Sequence, residues 1–182
     1  TLAMPDNDAK FRNQGLAGLS WLMMESTADE SNEIFRRLLV EYPDSKFSAR
    51  AVISRAKFLE EQGDQPAATA FYQLIVDRLP NFEMAQIARL RLAWFCQKST
   101  NIESLHRAKS LLGQFLDIAE SMPETDENQS LKLVDEAMYQ LGWVNIDLGN
   151  TLQAEAAFGD LVAAFPESKY WPDAAFRLAS AM

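Results

Sequence analysis

Residues 138–166, MYQLGWVNIDLGNTLQAEAAFGDLVAAFP, constrain this chain more than any other stretch, because the rest reads as imperfect copies of them. Leu141-Gly142 sits midway along an apolar pattern of helical period, and Gly149-Asn150 breaks that pattern. Ala154, Phe158 and Leu161 resume the helical spacing, and Pro166, which cannot continue a helix, closes it. The unit is a helix, a tight turn and a second helix, with a small residue where the two cross. A bulky side chain at that crossing would push the helices beyond their usual separation of roughly 8–10 Å.

The same grammar runs upstream and downstream. Helical spacing starts near Lys10 with Phe11, Leu16, Leu19 and Leu22, and Ser26-Thr27 interrupts it. Ile34, Phe35, Leu38 and Leu39 then form one stripe before Tyr42-Pro43-Asp44-Ser45. Residues 49–62 predict a helix stopped by Gly63-Asp64, and Pro66 suits the first turn of the next helix, where its missing N–H costs nothing. Ala68, Tyr72, Ile75 and Leu79 are the buried stripe of that helix. A third pair covers 84–98 and 102–121, with Leu105, Ala108, Leu112 and Phe115 facing inward. The polar, acidic stretch 123–130 (PETDENQS) reads as the one long loop, 130–148 as a continuous helix, and 172–182 as a first helix without a second. Residues 1–9 are expected to be a flexible lead-in to a single helical repeat domain over 10–182, a piece of a longer protein with about four helix pairs and one unpaired C-terminal helix. The small residues fall at Ser20, Ala56, Ala93, Gly142 and Ala179, spaced 36, 37, 49 and 37 residues apart, the long interval being the one with the acidic loop.

Leu141, Gly142, Ala154, Phe158 and Pro166 fit the tetratricopeptide signature W-x2-L-G-x2-Y…A-x3-F…P, with Met138 in place of its Trp and Asn145 in place of its Tyr. The chain thus resembles a tetratricopeptide repeat protein. The runs Tyr42-Pro43-Asp44-Ser45-Lys46-Phe47, Phe165-Pro166-Glu167-Ser168-Lys169-Tyr170 and Ala175-Phe176-Arg177-Leu178-Ala179 resemble the junctions of bacterial envelope members, of the Tol-Pal accessory and outer-membrane assembly lipoprotein type. The resemblance implies an all-α fold, a right-handed α-solenoid of stacked antiparallel helix hairpins. It implies a noncatalytic scaffold that binds a peptide or protein in a concave groove, and periplasmic residence, with the cytoplasm as the alternative. The competing reading is the noncatalytic helical domain of a larger envelope enzyme that processes peptidoglycan.

The residues themselves offer little reactive chemistry. A net charge of −9, from 26 acidic and 17 basic residues, repels phosphate backbones and argues against a nucleic-acid partner. No apolar run reaches the roughly 20 residues needed to span a bilayer. Cys96 is the only cysteine and His106 the only histidine, which leaves no disulfide and no Cys- or His-rich metal site. Cys96 in its apolar helical setting reads as an inert buried thiol, and His106 as a surface residue. Glu60-Glu61 and Asp135-Glu136 are adjacent on helices and point about 100° apart, so neither pair converges as an acid and a base. No catalytic residue, cofactor site or metal site is expected.

The tetratricopeptide resemblance places the residue after each small position on the groove side of the first helix: Trp21, Lys57, Trp94, Trp143 and Ser180. Three of the chain's four tryptophans stand there. The same register adds Arg50, Glu60, Arg91 and Tyr139. The family's carboxylate clamp requires Lys and Asn where Ala17 and Trp21 stand, so that function does not transfer. Two readings of the indoles remain: a groove lined with aromatic side chains for an extended segment with apolar anchors, or core packing between hairpins. At the C-terminal end Phe176, Leu178 and Met182 are expected to lie open and to support weak self-association.

Overall fold

A computed structural model of the chain describes Gly15, Gly18 and residues 29–42, 45–80, 82–99, 101–121 and 131–181. Among the described residues there are eight α-helices and no strand: α1 (Asp29–Glu41), α2 (Lys46–Glu61), α3 (Gln65–Arg78), α4 (Glu83–Lys98), α5 (Ile102–Ser121), α6 (Val134–Asp147), α7 (Thr151–Ala164) and α8 (Trp171–Ala181). The fold is all-α and built of helix hairpins in series, the α-solenoid class. The expected lead-in lies outside the described residues, as do Ser20 and Trp21 of the expected first helix.

Two kinds of turn fold the helices back. Inside the hairpins, Gln62 and Leu148 end their helices in the α region and a glycine at positive φ follows, Gly63 at 80° and Gly149 at 73°. Both turns make the same paired bonds: Gly63 N to Glu60 O and Asp64 N to Leu59 O, then Gly149 N to Ile146 O and Asn150 N to Asn145 O, all 2.8–3.0 Å. That is the Schellman arrangement, which satisfies the last carbonyls of a helix and needs the left-handed conformation glycine adopts freely. Asp64 also caps α3, its side chain accepting from Ala67 N. The α4–α5 turn uses different chemistry, with Asn101 Oδ1 accepting from Ser104 N at 2.8 Å.

Between hairpins the turns contain proline. Ser45 N bonds to Tyr42 O, Phe82 N to Leu79 O and Ser168 N to Phe165 O, at 3.0–3.2 Å, and each turn has Pro as its second residue in the sequence. The serine side chains of the first and last turns make further bonds. Ser45 accepts from Ser48 N, while Ser168 Oγ accepts from Tyr170 N and donates to Asp135 Oδ2 at 2.6 Å.

The described helices fall into two compact units, one ending at Ala88 and the other starting at Arg89, with α4 running on through that boundary. In the first unit α2 pairs with α3 and α1 packs on α2. Phe35, Leu38, Ala56, Tyr72 and Ile75 are fully buried, and Phe35 meets Phe71 edge-on at 6.3 Å. Arg55 is also fully buried. Its Nε and Nη2 donate to Asn32 Oδ1 at 3.0 and 2.8 Å, and its guanidinium lies over the rings of Phe35 and Phe58. In the register of the small residues this position is a leucine elsewhere, at Leu92, Leu141 and Leu178. Desolvation lowers the Arg55 pKa, with the Asp64 charge opposing it.

In the second unit α5, α6, α7 and α8 pack in sequence order. The stripe of α5 is buried as expected, with Leu112 and Phe115 fully so. The continuous helix expected over 130–148 does not form. A 3-10 turn over Leu131–Leu133 precedes α6, because Leu133 offers no side-chain cap for the free N–H groups of the helix start. Phe158, Ala154, Leu161 and Ala174 make the core of α6–α8, flanked by Met138, Tyr139, Trp143, Tyr170, Trp171 and Leu178. Gly142 lets the Phe158 ring lie directly against the α6 backbone. The fourth tryptophan, Trp171, ties α8 to α7 by donating its indole N–H to Val162 O at 3.1 Å.

Candidate protein-interaction face

Each unit carries part of the expected groove set. In the first unit Arg50, Lys57 and Glu60 share one stripe of α2, with Arg50 and Lys57 exposed. Glu60 is half-buried and accepts the Tyr72 hydroxyl at 2.7 Å, so it also fastens α2 to α3.

In the second unit Arg91 and Trp94 lie about one turn apart on α4, both half-buried, while Tyr139 and Trp143 lie one turn apart on α6. The Lys98 ammonium sits 3.6 Å from the centroid of the Trp94 ring. Trp143 has the Arg177 guanidinium of α8 over it at 4.4 Å and meets Phe158 edge-on at 6.4 Å. Tyr139 stacks on Tyr170 at 4.6 Å and donates its hydroxyl to Asp173 Oδ2 at 2.9 Å. Gln97 Nε2 donates to Asp147 Oδ2 at 3.1 Å, joining α4 to α6. The face that joins α6 to α8 is therefore aromatic and capped by cations, with Asp173 gripping Tyr139 and loosely holding Arg177 at 3.8 Å. Burial, followed by the Asp173 contact, raises the Tyr139 pKa, with Trp143 opposing in part.

Within the second unit the structure joins Tyr139 and Trp143 in one constellation; within the first, Arg50, Lys57 and Glu60 share a stripe of α2. The structure adds Lys98, Asp173, Tyr170 and Arg177, which the repeat register did not single out. Lys98 was within reach of sequence reasoning, being four residues from Trp94 on one helix. Arg177 and Asp173 were not, since their role depends on how α8 lies against α6.

The remaining chemistry is sparse. Cys96 is half-buried rather than fully buried, and burial raises its thiol pKa against the pull of Arg107, which disfavours the thiolate. His106 is exposed. Among the described residues no three His, Cys, Asp or Glu side chains are grouped as a metal site, and no helix is long and apolar enough to cross a membrane. At the C-terminal end Phe176 is 63% exposed, as expected, but Leu178 instead packs against the Phe158 core; Met182 lies outside the described residues.

Residues 136–168 match the family model for the tetratricopeptide repeat. The match begins inside α6, runs through the Gly149 turn and α7, and ends at Ser168 of the proline turn. Over these residues the chain is similar to a tetratricopeptide repeat. No curated protein matches the chain.

Proposed function

We propose that the aromatic face of α6 and α8, with Trp94 and Arg91 on α4, binds an extended segment of a protein partner through apolar or aromatic anchors. The observation that carries this reading is that Trp94, Tyr139 and Trp143 remain half-buried while the Phe158 core beneath α6 is already complete. Large rings with one open side are what interface hot spots are made of. Arg50, Lys57 and Glu60 form a second, charged stripe that would meet polar groups of the same class of partner. The proline turns at Tyr42 and Phe165 support assignment to the bacterial envelope type, and with it a periplasmic partner.

The test is Trp94→Ala, assayed by circular dichroism and by titration against a partner isolated with the wild-type chain. The expected result is a folded variant whose affinity for that partner falls by about 1–3 kcal/mol. A folded variant with unchanged affinity, or a variant that unfolds, removes Trp94 from the binding face.

A further inference from the structure

Between the end of α6, the start of α7 and the end of α8 lies a cleft of about 170 Å³, with Ile146, Ala154, Phe158 and Leu178 as its apolar lining. An apolar cavity of about 150 Å³ takes up benzene, so this volume suits one leucine or phenylalanine side chain. Ile146 is 39% exposed, which leaves apolar surface in contact with water at the cleft. Two charged side chains share the lining, Glu155 from α7 and Arg177 from α8. Arg177 is held by its face, with the guanidinium carbon 4.4 Å from the Trp143 ring centre, and 40% of its side chain stays open. Stacking of this kind leaves the edge donors of a guanidinium in plane and able to meet an oxygen. Asp173 Oδ1 lies 3.8 Å from the Arg177 Nε, an ion pair too long for a hydrogen bond.

We propose that this cleft seats one apolar residue of the partner's extended segment, with its side chain on the apolar lining, its peptide C=O toward Arg177 and its N–H toward Glu155. The proposal rests on the binding-face reading above and names one anchor of that segment. The charges select the occupant. Glu155 and Asp173 outnumber Arg177, so a carboxylate is repelled. A neutral peptide group offers one acceptor and one donor, and so satisfies the cation and the anion together. A leucine-sized anchor also takes the open surface of Ile146 out of water.

The experiment titrates the whole chain with four probes: N-acetyl-leucine amide, N-acetylglycine amide, N-acetyl-leucine as its free acid, and a capped Ala-Leu-Ala tripeptide. The backbone amide resonances of Ala154 and Leu178 and the Nε–H of Arg177 report binding. Leucine amide and the tripeptide are expected to shift all three saturably, with glycine amide and the free acid binding about tenfold more weakly. Glu155→Gln keeps an acceptor and removes the charge. It should narrow the gap between amide and free acid and leave the gap between leucine and glycine as it was. Resonances unmoved by leucine amide, glycine amide binding as well as leucine amide, or a free acid that matches the amide overturns the proposal, as does an unchanged gap in Glu155→Gln. A response to leucine amide but not to the tripeptide overturns a polypeptide as the source. None of these probes calls on Trp94, so failure at this cleft leaves the Trp94 test standing, and removal of Trp94 from the binding face leaves this result readable.

Discussion

A Cβ placed on Gly142 would stand 2.6 Å from Cζ and 2.8 Å from Cδ1 of Phe158, with Cε1 nearer still. Phe158 is 2% exposed and sits in the α6–α8 core, so displacing its ring disturbs that packing. Gly142→Ala should gain up to about 1 kcal/mol of helix propensity and lose about 1–3 to overpacking, leaving a net loss. Gly159→Ala on α7, where nothing lies within 4 Å of the added carbon, should instead stabilise by up to about 1 kcal/mol. Urea midpoints of the two variants check the opposite signs.

Phe158→Ala removes the ring itself and should cost about 3–5 kcal/mol. A loss below about 1 kcal/mol in chemical denaturation would mean that Phe158 is not the centre of the α6–α8 core.

Asn32→Ala takes away the acceptor for two donors of the fully buried Arg55. Hydrogen bonds to charged groups weigh more than neutral ones, so a loss of about 1.5–3 kcal/mol is expected. Asn32→Asp offers the guanidinium a charged acceptor and should be tolerated far better; equal losses in both variants would contradict this account.

The two tryptophans of the candidate face should separate on stability. Among the described residues Trp94 has ring contacts with Phe95 and Lys98, whereas Trp143 is held by Tyr139, Phe158 and Arg177. Trp94→Ala is expected to cost about 1 kcal/mol and Trp143→Ala about 3, set by how much packed surface each removes. Thermal unfolding of both variants decides it, and a larger loss at Trp94 would reverse the order.

Tyr139 and Tyr170 both have pKa values raised above the ordinary 10.0, chiefly by burial. A raised folded pKa means that the folded state holds the phenolic proton more tightly than the unfolded chain. Their contribution is therefore fully present below the unfolded value and is lost as pH rises through the higher folded values. Urea midpoints followed to above about pH 11 should fall, and the double change Tyr139→Phe and Tyr170→Phe should flatten that fall.

Helix positions were legible because each stop signal acts locally: Gly63 and Gly149 take up positive φ, and the prolines close turns by their own ring geometry. The buried stripes at Phe35, Tyr72, Phe115 and Phe158 were legible from the helical period alone. The start of α6 was not, because Leu131–Leu133 carry the right apolar pattern but no cap, and a period does not register the difference. Arg55 and Arg89 were equally invisible. Burial of a charge is decided by which neighbours arrive from elsewhere in the chain, and a leucine-like position gives no warning that an arginine will fill it. Of the candidate face, the aromatic half followed from the repeat register, while its cations needed three-dimensional placement.

The Lys98 ammonium rests on the open side of Trp94, 3.6 Å from the ring centre. Any ring or chain that comes to stack there has to lift that ammonium away first, so the protein's own side chain acts as a competitor already in place. Lys98 is exposed, and ionic strength weakens its hold because charges at the surface are screened over roughly 8 Å at physiological salt. An uncharged aromatic ligand should then associate more readily as salt rises, the opposite of ordinary steering by charge, and Lys98→Gln should abolish that dependence.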